Sequence, residues 1–402
     1  MYAESKQAKR KTHFFMALFT FVYFTSYVTR INFGAVIAEI IQSEGILKST
    51  ASLAVTGSAV FYGCGQLLSG WLGDKIQPKR MISIGFITTI LMNLSIPLCK
   101  NPYQMTVCWS INGLAQAFMW PPLVKIMTNV FSVEDYKKAV MLVSWGSSFG
   151  TIAVYLTAPL LITLSGWRAV FVACASAAAV MEIIWLFKCP KITLDAKTVK
   201  KKEGGRTFPW SFMIVGIIVA IILQGFLRDG VSTWMPSLIS ETFNLSVNIS
   251  IFSGIVFPMF SIAVFYIVTW IYRKRVHNEL YLAGLIFCVG AVCVLLLALF
   301  REKNPVLTVV LISLLIGTMH GVNLMLICLV PSHYEKFGRI SLVSGMFNSF
   351  TYLGSAVSAY GMAAYTEQFG WRSMIFFWGA VALAGGLICL ALTKKWRAFR
   401  HS

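Results

Sequence analysis

Long apolar segments recur along the whole chain and restrict it to folds that keep them away from water. Each is long enough to cross a bilayer as a helix, which needs about 20 apolar residues. The charged fraction is only 12%, about half that of a soluble domain. Both features predict an all-α membrane protein. The twelve predicted spans are residues 13–41, 50–73, 79–98, 102–131, 137–164, 167–187, 211–240, 248–272, 278–299, 305–334, 338–366 and 371–393.

The basic residues indicate how the chain crosses the membrane. A formal net charge of +19 would also suit nucleic-acid binding, but the positions of lysine and arginine argue against that partner. When the loops are assigned alternately to two sides, 25 of the 34 basic residues fall on the side of both termini and six on the other. The positive-inside rule therefore predicts a multi-pass protein of the plasma (inner) membrane with cytoplasmic N- and C-termini.

The chain also divides into two halves that repeat each other. Gly150 and Gly354 are 204 positions apart, and so are the Gly-Trp-Arg triplets that begin at Gly166 and Gly370. The longest polar interruption separates six predicted spans from the other six. Such parallel repeats predict two pseudo-symmetric six-helix bundles with a substrate held near the midplane. The predicted parts are residues 1–187, a cytoplasmic linker over residues 188–210, and residues 211–402.

Two arginines lie at matching depths in the two halves. Arg30 and Arg228 are 198 positions apart, and each is close to the middle of a predicted span. An arginine at the centre of a membrane helix costs roughly 2.5–3.5 kcal/mol on insertion scales. We therefore predict that the pair forms a two-armed clamp for an anion. Tyr23 and Tyr27 follow helical spacing toward Arg30, so two phenols and a guanidinium should share one helix face.

Several motifs resemble those of known transporters. The loop from Gly70 to Arg80 resembles the signature of the major facilitator superfamily, with an acidic residue at Asp74 before a basic pair. Further stretches resemble the organophosphate:phosphate antiporter family. They are Tyr23-x3-Tyr27-x2-Arg30-x-Asn32-Phe33, Tyr62 with the Asp74 loop, Trp120-Pro121-Pro122, Leu227-Arg228-Asp229-Gly230 with Trp234-x-Pro236, and Tyr352-Leu353-Gly354.

The resemblance implies a role for each matching residue. Arg30 and Arg228 would grip the substrate phosphate, and Tyr23, Tyr27, Tyr62 and Tyr352 would line the pathway. Asp74 and Arg80 would form a gating loop that latches one state. The match covers most of the chain and implies a major facilitator fold, twelve membrane helices and no enzymatic activity.

Three positions depart from that family. Gln66 stands where the family often has a lysine, Gly146 where some members have a histidine, and Gly225 where a tyrosine precedes the helix arginine. We expect Gln66 to line the site with one positive charge fewer. Gly146 and Gly225 are expected to enlarge the cavity, so the substrate of any relative cannot be carried over from these motifs.

Other polar residues within the predicted spans are weaker candidates. Lys125 aligns with a basic family position, although a lysine near a helix end can simply reach the membrane surface. His320 could face the substrate or merely form a hydrogen bond between helices. Asn348 belongs to a polar stripe with Tyr352 and Ser355, which could line the site or merely be a packing face of small residues. Asp229 could bind a coupling proton or pair locally.

The sequence favours transport over catalysis. It has no evident nucleophile–base pair, ATP-binding loop or metal-ligand spacing, and its nine cysteines lie mostly in apolar spans. We expect no cofactor and no metal, and a monomer whose partners are the lipid bilayer, an organic anion and inorganic phosphate.

Three functions remain open at this stage. The first is alternating-access exchange of an organophosphate or sugar phosphate for inorganic phosphate. The second is proton- or sodium-coupled symport of a carboxylate such as a sugar acid. The third is an organophosphate sensor that transports nothing and uses the basic linker for docking.

Overall fold

The computed structural model describes residues 2–72, 75–189, 212–300, 303–337 and 340–401. The fold is helical throughout these ranges, as predicted. The helices of the first half are α1 (Tyr2–Glu44), α2 (Lys48–Leu72), α3 (Pro78–Ser95), α4 (Pro102–Gln116), α5 (Trp120–Val130), α6 (Val133–Ser165) and α7 (Trp167–Lys188). Those of the second half are α8 (Phe212–Phe243), α9 (Val247–Ser253), α10 (Val256–Lys274), α11 (Glu279–Phe300), α12 (Pro305–Asn323) and α13 (Ile340–His401).

Ten helical stretches among the described residues are long and apolar enough to cross a membrane. The longest, Val343–Arg400, has 58 residues, which is long enough for about two crossings of a membrane. It bends at Gly370, whose backbone is not helical, so it contains both of the last two predicted spans. The chain is therefore a multi-pass membrane protein.

Several predicted spans are interrupted helices. Pro121 and Pro122 lie at the start of α5, and the helix before them ends at Gln116. Proline cannot donate the next helical hydrogen bond and is tolerated in the first helical turn, so this pair splits the span at 102–131. The span at 305–334 passes from α12 into a π-helix, Leu324–Leu329, and then a 3-10 helix, Val330–Phe337.

The two halves repeat at the level of atomic contacts. Each Gly-Trp-Arg triplet begins with a left-handed glycine, at φ 78° for Gly166 and 70° for Gly370. Each of the paired glycines packs against a helix backbone. A Cβ on Gly150 would lie 2.6 Å from the Phe24 carbonyl oxygen, and one on Gly354 would lie 2.1 Å from that of Ile222. Phe24 and Ile222 are 198 positions apart, like the two arginines, so the same helix contact is built twice.

An Asn-Pro pair that begins a helix also recurs in both halves. Asn101-Pro102 and Asn304-Pro305 are 203 positions apart and begin α4 and α12. Both asparagine side chains accept a backbone N–H of the first turn, and both prolines occupy that turn. This is a standard way to start a helix. In each half it fixes the residue at which the helix begins.

Two compact units can be distinguished among the described residues. One comprises residues within 1–36 and 60–196, and the other residues within 37–59 and 197–402. The end of α1 and the start of α2 thus belong to the second unit. The predicted boundaries at 187 and 211 remain a prediction, since residues 190–211 lie outside the described ranges.

An ion pair holds the start of α2 within the second unit. Lys48 Nζ lies 2.7 Å from Glu241 Oε2 and 5.1 Å from the centre of the Trp371 ring. Trp371 Nε1 donates to the same Glu241 oxygen at 2.8 Å. A cavity of about 400 Å³ lies beside this group, lined mostly by residues of the ends of α1 and α8. None of the predicted site residues that the structure describes lines it.

A buried carboxylate ties the C-terminal part of α13 to the same unit. Glu279, which is fully buried, accepts hydrogen bonds from Tyr272 Oη at 2.5 Å and Trp396 Nε1 at 2.8 Å. His333 Nε2 lies 2.9 Å from Glu279 Oε1, the oxygen that also accepts from Tyr272. Arg400 Nη1 lies 3.3 Å from Oε2, the oxygen that accepts from Trp396. A buried carboxylate needs such partners to offset its lost hydration.

We expect the Lys48–Glu241–Trp371 group to stabilise the protein measurably. Glu241→Gln removes the charge that Lys48 faces and should lower the thermal unfolding temperature, at a cost of about 0.5–1 kcal/mol, since the pair is partly exposed. Glu134→Gln is the matched control, because Glu134 is exposed in the first turn of α6. Equal shifts for the two variants in a detergent thermal-shift assay would contradict the role given to Glu241.

Candidate functional site

Arg30 is held by aromatic rings from two helices of the first unit. Its guanidinium carbon lies 3.9 Å from the centre of the Tyr62 ring and 5.5 Å from that of Tyr27. Tyr62 is buried in α2, and Tyr27 is one turn before the arginine in α1. Cation–π contacts at desolvated positions contribute about 2 kcal/mol or more. The rings therefore offset part of the cost of placing this charge in an apolar bundle.

The aromatic face continues along α1 to α5. The rings of Tyr23 and Tyr27 lie 5.2 Å apart, and Tyr23 lies 5.0 Å from Trp120. The predicted grouping of Tyr23, Tyr27 and Arg30 on one face is present. Lys125 follows in α5 and is half-buried.

Gln66 lies one turn after Tyr62 in α2. Its amide nitrogen is buried and has no hydrogen-bond partner within the part of the chain that the structure describes. A buried donor without a partner costs about 1–3 kcal/mol. This position, where the family often has a lysine, thus offers a neutral donor near the Arg30 group.

A buried polar network lies on another face of α1, and the sequence analysis missed it. Ser26 Oγ donates to Gln116 Oε1 at 2.6 Å, and Gln116 Nε2 donates to Thr29 Oγ1 at 3.0 Å. Asn32 Nδ2 donates to Asn93 Oδ1 at 2.8 Å. These bonds connect α1 with α3 and α4 and fix the rotation of α1. Arg30 is held on its own face as a consequence.

We expect Gln116→Ala to destabilise the protein and to weaken anion binding. The change removes bonds to Ser26 and Thr29, and interhelical hydrogen bonds in membranes contribute roughly 0.6–2 kcal/mol each. Gln368→Ala is the matched control, because Gln368 is exposed in α13. A thermal-shift assay should show a lower unfolding temperature for Gln116→Ala only. If both variants unfold like the wild type, the network does not anchor α1.

Arg228 in the second unit is paired with its neighbour in sequence. Its Nε donates to Asp229 Oδ1 at 2.6 Å and Nη2 donates to Oδ2 at 2.8 Å. Ser355 Oγ, from α13, donates to the same Oδ2 at 2.6 Å. The arginine that was predicted to bind an anion is thus in contact with a carboxylate of the chain itself. Of the two roles considered for Asp229, local pairing is the one present in the structure.

His320 in α12 and the predicted site residues Asn348 and Tyr352 in α13 differ in how they relate to the Arg228–Asp229 pair. His320 Nδ1 lies 3.0 Å from the Ile316 carbonyl oxygen and 3.3 Å from Ser261 Oγ, so its ring connects α12 with α10. It is near enough to Arg228 and Asp229 to interact with them electrostatically. Asn348 and Tyr352 are half-buried and precede Ser355 at helical spacing, so the three share one face of α13.

A hydrogen bond in the second unit occupies the place that the Ser26–Gln116 bond has in the first, but it uses a backbone oxygen as the acceptor. Gln224, one turn before Arg228 and fully buried, donates to the Met319 carbonyl oxygen at 3.1 Å. Gln224 and Ser26 are 198 positions apart, and Met319 and Gln116 are 203 apart. Equivalent positions therefore join the first and fourth spans and the seventh and tenth spans.

Gly146 and Gly225 do not enlarge a cavity, so that prediction is wrong. A Cβ on Gly146 would lie 2.6 Å from the Thr20 carbonyl oxygen, and one on Gly225 would lie 2.2 Å from that of Thr351. Real Cβ atoms are essentially never so close to a backbone oxygen. Both glycines let two helices approach each other, as small residues do in membranes.

The predicted gating loop is described only in part. Asp74 lies outside the described residues, and Arg80 is exposed in the first turn of α3. Beside it, Lys79 Nζ donates to the Leu186 carbonyl oxygen at 2.7 Å, and Trp185 Nε1 donates to that of Lys79 at 3.3 Å. The basic end of the loop is thereby attached to the end of α7.

Comparison with known proteins decides the family. The chain matches the sequence profile of the Major Facilitator Superfamily over residues 19–359. The chain belongs to this superfamily. Its predicted fold class is thus confirmed, and it is a transporter-type protein and not an enzyme. A bacterial homologue of the human lysosomal transporter Spinster, crystallised in an inward-facing and occupied conformation, superposes with a TM-score of 0.71 at 14% identity. That match covers 97% of this chain and 96% of the other.

Curated relatives agree with the organophosphate resemblance at low identity. The glycerol-3-phosphate transporter of Bacillus subtilis is 22% identical, and the match covers 91% of this chain and 88% of that protein. The membrane sensor protein UhpC of Salmonella typhimurium is 21% identical, with 91% and 87% covered. A probable hexose phosphate transport protein of Chlamydia muridarum is 27% identical over 157 residues, 39% of this chain and only 34% of that protein.

Proposed function

We propose that this chain is a secondary active transporter that exchanges an organophosphate or sugar phosphate for inorganic phosphate by alternating access. Arg30 and Arg228 together bind the anion in this proposal, and Tyr23, Tyr27, Tyr62 and Tyr352 line its path. The observation that carries it is the Arg30 group, in which a guanidinium lies 3.9 Å from the ring centre of a buried tyrosine. Relatives named as glycerol-3-phosphate and hexose phosphate transporters support the substrate class.

The Arg30 group is suited to a phosphate for a chemical reason. A cation–π contact uses the charge of the guanidinium and the face of the ring, whereas an anion binds through N–H donors in the guanidinium plane. Gln66, one turn from Tyr62, adds a neutral buried donor. The N–H donors of Arg30 and Gln66 together suit a small anion that carries several acceptor oxygens.

Charge supplies the driving force for exchange in this mechanism. Two arginines in a medium of low dielectric constant are costly unless an anion compensates them. In the empty carrier Arg228 is paired with Asp229. Binding a phosphate dianion would replace that carboxylate, compensate both arginines and permit reorientation. Inorganic phosphate and a phosphate ester present the same oxygens to the arginines. Exchange of one for the other follows from this chemistry.

Replacing either arginine by lysine tests the proposal. Arg30→Lys and Arg228→Lys keep the charge but lose the planar fork, so exchange should fall by roughly tenfold or more while expression and unfolding temperature persist. The assay is uptake of labelled glycerol 3-phosphate into proteoliposomes loaded with inorganic phosphate. Arg168→Lys is the control, because Arg168 is exposed beside Trp167 at the start of α7. Uptake that internal phosphate does not stimulate would refute exchange.

A second candidate function is proton-coupled symport of a carboxylate. It is favoured by Asp229 and His320, two titratable groups that interact electrostatically with Arg228. Under this hypothesis uptake would stop when the proton gradient is collapsed, whereas phosphate exchange would continue. The same liposomes therefore distinguish the two. Binding without any flux would favour a sensor, as the relative named UhpC suggests.

A further inference from the structure

We infer that Asp229 is a tethered competitor that occupies Arg228 and discriminates against substrates of low charge. This inference rests on the proposed function, because it assigns a specificity role within the same site. The structure gives Arg228 a carboxylate ligand from its own chain, bound through two nitrogen–oxygen contacts of 2.6 and 2.8 Å. A substrate anion that needs these donors must displace that carboxylate.

The pairing is not a simple consequence of the helix. Side chains adjacent in a helical sequence point about 100° apart and do not normally face each other. Here a third group holds the carboxylate in place, since Ser355 Oγ donates to Oδ2 at 2.6 Å. The carboxylate is thus shared between α8 and α13.

Close packing of these two helices sets the position of Ser355. A Cβ on Gly225 would meet the Thr351 carbonyl oxygen, and one on Gly230 would lie 2.6 Å from the Ser358 Cβ. Trp234 Nε1 donates to the Ala359 carbonyl oxygen at 3.1 Å. These contacts lie on both sides of Ser355 along α13. The serine can therefore stay within reach of Asp229 only while the two helices remain in contact.

The pair is accessible to a ligand to a limited degree. The Arg228 side chain is 13% exposed and that of Asp229 is 29% exposed. Asp229 can therefore turn away into the more open space when an anion arrives. A ligand would then replace one two-oxygen contact by another of the same geometry.

This competition discriminates by charge. A monocarboxylate presents the same charge and the same two oxygens as Asp229, so it gains little by replacing it. A phosphate monoester carries about −1.5 to −2 charges at pH 7 and offers three oxygens. It can bind Arg228 and compensate Arg30 as well. The same displacement cost therefore leaves a phosphate ester with usable affinity and a simple carboxylate with little.

Affinities of two probes measure this effect. We would titrate glycerol 3-phosphate and gluconate into the purified full chain in nanodiscs at pH 7.5, for the wild type and for Asp229→Asn. The substitution removes the same displacement cost for both ligands, so it should tighten gluconate and glycerol 3-phosphate binding by a similar factor, roughly tenfold. Gluconate should bind weakly to the wild type and measurably to Asp229→Asn. Ser355→Ala, which removes one support of the carboxylate, should shift both affinities in the same direction by a smaller factor.

Controls separate this role from folding and from the proposed function. Asp135→Asn makes the same change and removes the same charge at the start of α6, and it should leave both affinities unchanged. If Asp229→Asn elutes as a single symmetric peak and binds neither probe more tightly, the inference is wrong. Wild-type protein that binds gluconate more tightly than the phosphate would overturn the substrate class instead. Tighter binding by Asp229→Asn would still support the competition in that case.

Discussion

The cost of placing two guanidinium groups inside an apolar helix bundle governs this structure. Arginine cannot lose its charge at any relevant pH, so each of the two must be compensated where it stands. The chain does this differently in its two units. Arg30 lies against the rings of Tyr62 and Tyr27, which attract the cation. Arg228 is bound by the carboxylate of Asp229.

The two halves share a backbone plan but differ in their polar chemistry. The left-handed Gly166 and Gly370 and the close-packed Gly150 and Gly354 recur with constant spacing. At such positions sterics dictate glycine. The polar positions around this plan differ between the two halves. A side-chain pair joins the first and fourth spans, whereas a side chain bonded to a backbone carbonyl joins the seventh and tenth.

Much of the fold followed from the sequence, because a membrane-spanning helix can be recognised by the length of its apolar segment. The helix interruptions were less accessible from the sequence, although the proline chemistry of Pro121-Pro122 predicts a break. Gly146 and Gly225 were misread because a missing side chain indicates space only if no other helix fills it, and Thr20 and Thr351 do. Which helix packs against a glycine depends on the tertiary structure and cannot be read from the local sequence.

In the candidate site, the sequence predicted the contacts along one helix but not those between helices. The grouping of Arg30 with Tyr23 and Tyr27 follows from helical spacing, whereas the contact with Tyr62 needs the packing of α1 against α2. The buried network around Gln116 left a signal that was not used: polar residues recur at 26, 29 and 116 within apolar spans. Local pairing was one of the two roles considered for Asp229, but its support by Ser355 could not be foreseen, because that serine is 126 positions away.

The different compensation of the two arginines gives them different tasks in the proposed mechanism. The rings of Tyr62 and Tyr27 attract Arg30 through its charge, whereas a substrate oxygen would accept hydrogen bonds from N–H donors in the guanidinium plane. A carboxylate uses the in-plane donors of Arg228 themselves, so an anion must exchange with Asp229 there. Charge on the substrate therefore matters most in the second unit, and orientation of the guanidinium matters most in the first. Competition by Asp229 lowers the affinity of Arg228 for every anion. A weakly charged anion, which gains less from the two arginines than a phosphate ester does, is the first to lose usable affinity.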